Sequence, residues 1–159
     1  MADNSCAVTF KGHKNDITTL AFDAQGTRLA SGSLDTEIVV WDVPGECGLV
    51  RLHGHKNAIT SVSFLGDNSA FLLSGSKDAL VKLWDLQTQH CIQTLVNHRS
   101  EVWSLAVATT GTRFATGCAD NQIRIWKIHS ERLGLAQHVA PSNDSEGAVK
   151  VCCPLLFLL

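Results

Sequence analysis

Residues 12–22 read "GHKNDITTLAF" and residues 54–64 read "GHKNAITSVSF". Nearly the same eleven residues recur 42 positions apart. Aligned on His13 and His55, a third copy begins at His98, one step of 43 residues further on. Each copy closes on a tryptophan, Trp41, Trp84 and Trp126, at 28, 29 and 28 residues from its histidine. Three copies at so regular a spacing make the repeat the unit of folding.

Within a copy, short apolar or alternating runs are separated by turn residues. The first copy has "ITTLAF", then "DAQGT", then "RLASGS", "SLDTE" and "IVVWDV". Such runs bounded by Gly, Asp, Asn and Ser read as β-strands and tight turns. A fourth run joins the copies, "LVRL" before Gly54-His55 and "CIQTL" before Asn97-His98. A period of 40–45 residues with Gly-His at one end and Trp-Asp at the other resembles the WD repeat. The resemblance implies an all-β chain of WD40 β-propeller blades. The reading is three four-stranded antiparallel blades in an open arc, a partial propeller. "AVTF" at residues 7–10 is expected to be the outer strand of a blade whose remainder is absent. The expected organisation is an extension over 1–6, three repeats within 7–128 (about 10–43, 52–86 and 95–128), and a divergent, poorly ordered tail over 129–159. In that tail "APSNDSEGA" is polar and turn-rich, and "VCCPLLFLL" is expected to fold back on an exposed apolar flank.

The chain has 159 residues with 13 basic and 15 acidic side chains. So balanced a charge argues against a protein whose own field captures nucleic acid or an anionic membrane. No apolar run approaches the roughly 20 residues a membrane-spanning helix needs. The six cysteines match no zinc spacing and read as reduced intracellular thiols.

His, a hydroxyl residue and Asp recur in every copy. They are His13, Ser31, Asp35 with Trp41; His55, Ser74, Asp78 with Trp84; and His98, Thr116, Asp120 with Trp126. These are the residue types of nucleophilic catalysis, and a hydrolase using one of the sets is one reading. Repetition argues against it, because an enzyme needs one such constellation in one cleft. The structural reading is a brace within each blade: Asp accepts from the His ring, His is bridged by the hydroxyl, and the hydroxyl accepts from the indole N–H. No catalytic residue, metal site or cofactor is expected.

A narrower resemblance rests on "GTRLASGSLDTEIVVWDV", "ECGLVRLHGHKNAIT", "SKDALVKLWDLQTQHC" and "HRSEVWSLAV". These stretches are similar to the tandem-propeller WD-repeat subunits of the U3 small nucleolar ribonucleoprotein, the small-subunit processome. The resemblance implies a non-catalytic scaffold in nucleolar 18S rRNA maturation and ribosome biogenesis. Its implied partners are other processome subunits and other WD-repeat proteins, with indirect association to U3 snoRNA and pre-rRNA. It implies no membrane and no small-molecule substrate. Location follows from it as nucleus and nucleolus, and otherwise cytoplasmic. The alternative is a generic WD40 adaptor, such as a ubiquitin-ligase substrate receptor or a signalling scaffold. Two positions depart from the pattern, Asn97 for Gly before His98 and Lys127 for Asp after Trp126.

In WD repeats generally, three positions of each copy point to one face, where propellers bind through loops and strand ends. Here they are Asp16, Thr18 and Leu34; Ala58, Thr60 and Lys77; Glu101, Trp103 and Ala119. Trp103 is the only tryptophan outside the Trp-Asp position and reads as an interface anchor. Lys14, Lys56 and Arg99 follow the histidines as three separated cations, read as solvated.

Overall fold

A computed structural model of the protein describes residues 6–66 and 70–128. These residues form eleven strands and no helix. The first sheet holds β1 (Ile17–Phe22), β2 (Arg28–Ser33), β3 (Ile38–Asp42) and β4 (Cys47–Leu52), in that order. The second holds β5 (Ile59–Leu65), β6 (Phe71–Ser76), β7 (Val81–Asp85) and β8 (His90–Leu95). The third holds β9 (Val102–Val107), β10 (Arg113–Cys118) and β11 (Ile123–Lys127). Every neighbouring pair is antiparallel. The three sheets stack in chain order, β1 beside β5 and β5 beside β9, and do not close into a ring.

Turn chemistry sets these boundaries. Gly26, Gly66 and Gly111 end the first hairpin of each blade with φ near +70°, a conformation that costs a glycine nothing. The second hairpin turns on Thr36, Ala79 and Asn121, each at positive φ one residue after Asp35, Asp78 and Asp120. Each aspartate Oδ1 accepts the N–H two residues on, from Glu37, Leu80 and Gln122 at 3.0–3.1 Å. Such Asx turns hold the αL residue that Thr and Ala would otherwise avoid.

The core lies between blades. Ala30, Ile38, Val40 and Leu52 of the first blade meet Ile59, Val62, Phe64 and Leu72 of the second. Leu73, Val81 and Leu83 then meet Val102, Phe114 and Trp126 of the third. Each such side chain, once enclosed, contributes about 1.5–3 kcal/mol relative to leaving it in water.

Two expectations differ from what is observed. The third sheet has three strands rather than four, because the position of its outer strand follows residue 128, outside the described residues. "AVTF" is not a strand. A strand needs a neighbour for its N–H and C=O groups, and the described chain supplies none before β1. The segment instead lies on the first blade, where Phe10 packs on the Trp41 ring with centroids 5.0 Å apart. The expectations for 1–5 and for the tail over 129–159 lie outside the described residues.

Candidate functional site

Strand register creates the first tetrad. Leu29 opposes Trp41 and Ser31 opposes Val39, so Ser31 and Trp41 lie diagonally across the β2–β3 pair. The Trp41 indole N–H donates to Ser31 Oγ at 2.8 Å. His13 Nε2 lies 2.7 Å from the same oxygen, and His13 Nδ1 lies 3.0 Å from Asp35 Oδ2. An indole can only donate. The serine oxygen therefore accepts from Trp41, its own hydroxyl has both His13 Nε2 and, at 3.3 Å, Val39 O within reach, and His13 Nδ1 faces the carboxylate. The second tetrad repeats this: Trp84 to Ser74 at 2.8 Å, His55 Nε2 to Ser74 at 2.8 Å, and His55 Nδ1 to Asp78 Oδ2 at 2.9 Å.

Backbone donors complete each carboxylate. Lys14 N–H reaches Asp35 Oδ2 at 2.8 Å and Lys56 N–H reaches Asp78 Oδ2 at 2.9 Å. Burial alone would raise the Asp35 pKa. The Lys14 and Glu37 amides and the His13 ring outweigh it and bring the group down to about 2. Asp78 is lowered too, against its burial, by Lys56 and His55. Burial pushes His55 below its ordinary value, with Asp78 opposing. The hydroxyls are fully enclosed, Ser31 at 1% and Ser74 at 0% exposure, each with its oxygen already carrying an indole proton.

The third copy departs from this pattern. Trp126 donates to Thr116 Oγ1 at 3.1 Å and His98 Nε2 lies 3.0 Å from it. The expected His98–Asp120 bond is absent: among the described residues the buried Nδ1 of His98 has no partner. Asp120 turns instead to the Arg124 guanidinium, with Oδ2 at 2.7 Å from one nitrogen and Oδ1 at 3.3 Å from the other. That pairing holds Asp120 below and Arg124 above their ordinary values. His98 is lowered by its burial and then by Arg124.

One position in the preceding strand differs in kind. In the first two blades a second serine pins the turn. Ser33 Oγ donates to Asn15 O and accepts Asp35 N–H at 3.1 Å; Ser76 Oγ donates to Asn57 O and accepts Asp78 N–H at 3.1 Å. Cys118 stands there in the third, and a thiol is a weak donor and acceptor. Released from that pin, Asp120 meets a planar cation four residues away, the geometry guanidinium binds best. The sequence carried the signal in the last letter of "SGS", "SGS" and "TGC".

Backbone hydrogen bonds pair some of the positions expected on the face. Leu34 N–H bonds Asp16 O, Lys77 N–H bonds Ala58 O, and Ala119 N–H bonds Glu101 O, all at 2.9–3.0 Å. Asp16, Leu34 and Ala119 are exposed, and Glu101 is half-buried. Ala58 is a correction. It is buried, closed in by its N–H on Asn57 Oδ1 and its carbonyl on Lys77. Thr18 and Thr60 also serve another role: their hydroxyls donate across blade boundaries to Ile59 O and Val102 O. Trp103 occupies the corresponding place in the third blade, half exposed, with Lys77 Nζ 4.8 Å above its ring.

Residues 1–128 match the family model described as the WDR3 first beta-propeller domain. The chain is similar to nuclear distribution protein nudF of Aspergillus niger, 31% identical over 147 residues, covering 91% of this chain and 32% of that protein. It is similar to U3 small nucleolar RNA-associated protein 12 of Saccharomyces cerevisiae, 47% identical over 100 residues, covering 63% of this chain and 10% of that protein. It is similar to transducin beta-like protein 3 of Rattus norvegicus, 31% identical over 119 residues, covering 74% and 15%. The chain thus spans about a third or less of the length of these relatives.

Proposed function

The chain belongs to the family of the WDR3 first beta-propeller domain, and from that premise we propose a non-catalytic scaffold of the small-subunit processome. It would act in nucleolar 18S rRNA maturation by binding other processome proteins, several of them WD-repeat proteins themselves. U3 snoRNA and pre-rRNA would be reached through those proteins, which suits a chain of balanced charge. The observation that carries this reading is the 47% identity over 100 residues to a protein named for its association with U3 RNA. Residues 7–128 would be the binding unit, with Asp16, Leu34, Lys77, Glu101, Trp103 and Ala119 on the face that meets partners.

The tetrads are braces in this reading. Their proton relay has the order of a catalytic triad, but Ser31 and Ser74 are sealed under tryptophans. Ser31→Ala should lower stability and leave any hydrolytic readout unchanged. The functional test is a tagged full chain expressed in cells. Expected are nucleolar accumulation and recovery of U3 RNA with processome proteins, the proteins staying bound after ribonuclease. Diffuse staining with no U3 enrichment over an unrelated WD protein would sink it. Recovery of ubiquitin-ligase or signalling components instead would establish the generic adaptor.

A further inference from the structure

An aspartate stands at the same place in the second hairpin of each blade, and two of the three make the same bonds. Asp35 Oδ2 faces His13 Nδ1 and accepts the Lys14 N–H, and Asp78 Oδ2 faces His55 Nδ1 and accepts the Lys56 N–H. The third, Asp120, has the same backbone around it. Asn121 follows it at φ 60°, as Thr36 and Ala79 follow the others at 70° and 64°. Its Oδ1 accepts the Gln122 N–H at 3.1 Å, the bond that Glu37 and Leu80 supply elsewhere. Only Oδ2 points differently, to Arg124 at 2.7 Å. The difference between the blades is held in side-chain torsions, with the turn itself alike.

The place that Asp120 does not fill is still built. His98 is 6% exposed, and among the described residues its Nδ1 has no partner. The Arg99 N–H follows it in the chain as those of Lys14 and Lys56 follow the other two histidines, and Asp120 takes neither group. The histidine has responded. Its ring centroid lies 5.3 Å from that of Trp126, against 6.4 and 6.1 Å in the braced blades. Ring and carboxylate thus each have a second position, displayed twice in the same molecule.

Charge decides between the two positions. A neutral imidazole offers Asp120 one polar N–H, whereas Arg124 offers a planar cation that holds both carboxylate oxygens. An imidazolium carries a proton on each nitrogen, and enclosed without a partner it is costly. Arg124 keeps Gln122 Oε1 at 2.8 Å when the carboxylate leaves. Burial opposes charge on His98 first and Arg124 of β11 second, while Asp120 of the β10–β11 turn favours it. Cys118 of β10 is pushed up by burial and stays a neutral thiol. On the histidine's own segment Arg99 is exposed and Glu101 half-buried.

We propose that Asp120 is a two-position switch governed by His98. With the ring neutral, Oδ2 stays on Arg124. When the ring takes a proton from solvent, Oδ2 swings to His98 Nδ1–H and the Arg99 N–H, the bonds that Asp35 and Asp78 make, and the guanidinium is released. Burial lowers His98 from the ordinary 6.5, and Arg124 lowers Asp120 from the ordinary 3.8. Switching therefore runs below 6.5 with the carboxylate still charged.

Nitrogen- and carbon-resolved NMR of the full chain between about pH 7.5 and 4, where histidine titrates and carboxylates stay charged, reads the switch at three atoms. As the His98 ring titrates, the Asp120 carboxyl carbon should shift and the Arg124 Nη protons should exchange faster, all with one midpoint. At the acid end the His98 Nδ1 proton should exchange roughly tenfold more slowly than in Asp120→Asn at the same pH. In Arg124→Met the competing cation is gone, so that proton should be protected at neutral pH already. Circular dichroism checks that this variant folds; should it fail, Arg124→Val replaces it, valine being the residue of the first blade at that position, Val39. The three-atom reading of the unchanged chain stands without either. A His98 titration that leaves the Arg124 signals as they were at neutral pH overturns the proposal. So does a chain that unfolds before His98 takes its proton, and so does a folded Arg124 variant whose Nδ1 proton stays fast.

Discussion

The second and third blades are built from aligned residues and differ in what encloses them. The second has a neighbour on each side. Its tetrad is complete, and Leu83 and Val81 lie in a closed core. Among the described residues the third has a neighbour on one side. Its His98 Nδ1 is unpartnered among the described residues, and Ile123 and Ile125 face outward. A WD blade is thus held by two separable systems, apolar cover from the adjacent blade and a polar brace within its own sheet. Among the described residues the third blade differs in both, in the exposure of Ile123 and Ile125 and in its unpaired His98 Nδ1.

The largest expected effect tests cover. Leu83→Ala should cost about 2–5 kcal/mol by denaturant melting, as a large-to-small change in a filled core. Ile125→Ala, at the aligned position, should stay within about 0.5 kcal/mol at low protein concentration, as an exposed change does. Equal losses would break the comparison by showing that the third flank is covered in solution.

Next comes the brace. Asp78→Ala strands the His55 ring proton and the Lys56 and Leu80 amides at once, and should cost about 2–3 kcal/mol. Asp120→Ala should cost clearly less, since its carboxylate is spent on Arg124 near the surface rather than on His98. Parity between the two would mean that Asp120 also serves His98 in solution.

Much of this was legible in the sequence, because the brace uses rare residue types at fixed offsets. His, Trp and the turn Asp repeat with a slip of one residue at most, and with them came the period, the strands and the propeller architecture. What escaped was carried by residues with several roles. The second serine of "SGS" carries no repeat-wide signal of its own beside Gly32 and Gly75, which let the next blade approach. Its work as a pin on the aspartate amide shows only in three dimensions. Thr18 and Thr60 read as face residues, yet their hydroxyls cross to the next blade. Arg124 was not singled out in the sequence, and its pairing with Asp120 shows only in three dimensions.

Acid should act on the blades unequally. Burial depresses His55 and His98, so each protonates at lower pH in the fold than in the unfolded chain, where the ordinary value is 6.5. The unfolded state then binds more protons, and stability falls as pH drops below about 6.5. Asp35, down at about 2 against an ordinary 3.8, adds a second loss between about pH 4 and 2. Melting across this range should show both steps. His98→Gln should flatten the first step in part, and the chain with both His55 and His98 replaced should flatten it further. An unchanged profile in the double variant would show that neither ring is held neutral by burial.

The smallest effect is the most specific. Cys118→Ser places a hydroxyl where Ser33 and Ser76 stand in the intact blades. It can accept the Asp120 N–H and draw the turn back toward His98, while Arg124 loses its hold. The expected gain is about 0.5–1.5 kcal/mol, the net worth of a hydrogen bond, which a denaturant melt resolves. The informative reading is the histidine itself. In nitrogen-resolved NMR the His98 Nδ1 proton should become slow to exchange and shift toward those of His13 and His55, whose Nδ1 atoms face carboxylates. Combining Cys118→Ser with Arg124→Met should strengthen that signature, because it removes the competing cation. If stability rises but the His98 proton stays fast, the added hydroxyl merely packs better than the thiol. The brace of the third blade would then be set by Arg124 rather than by the missing serine.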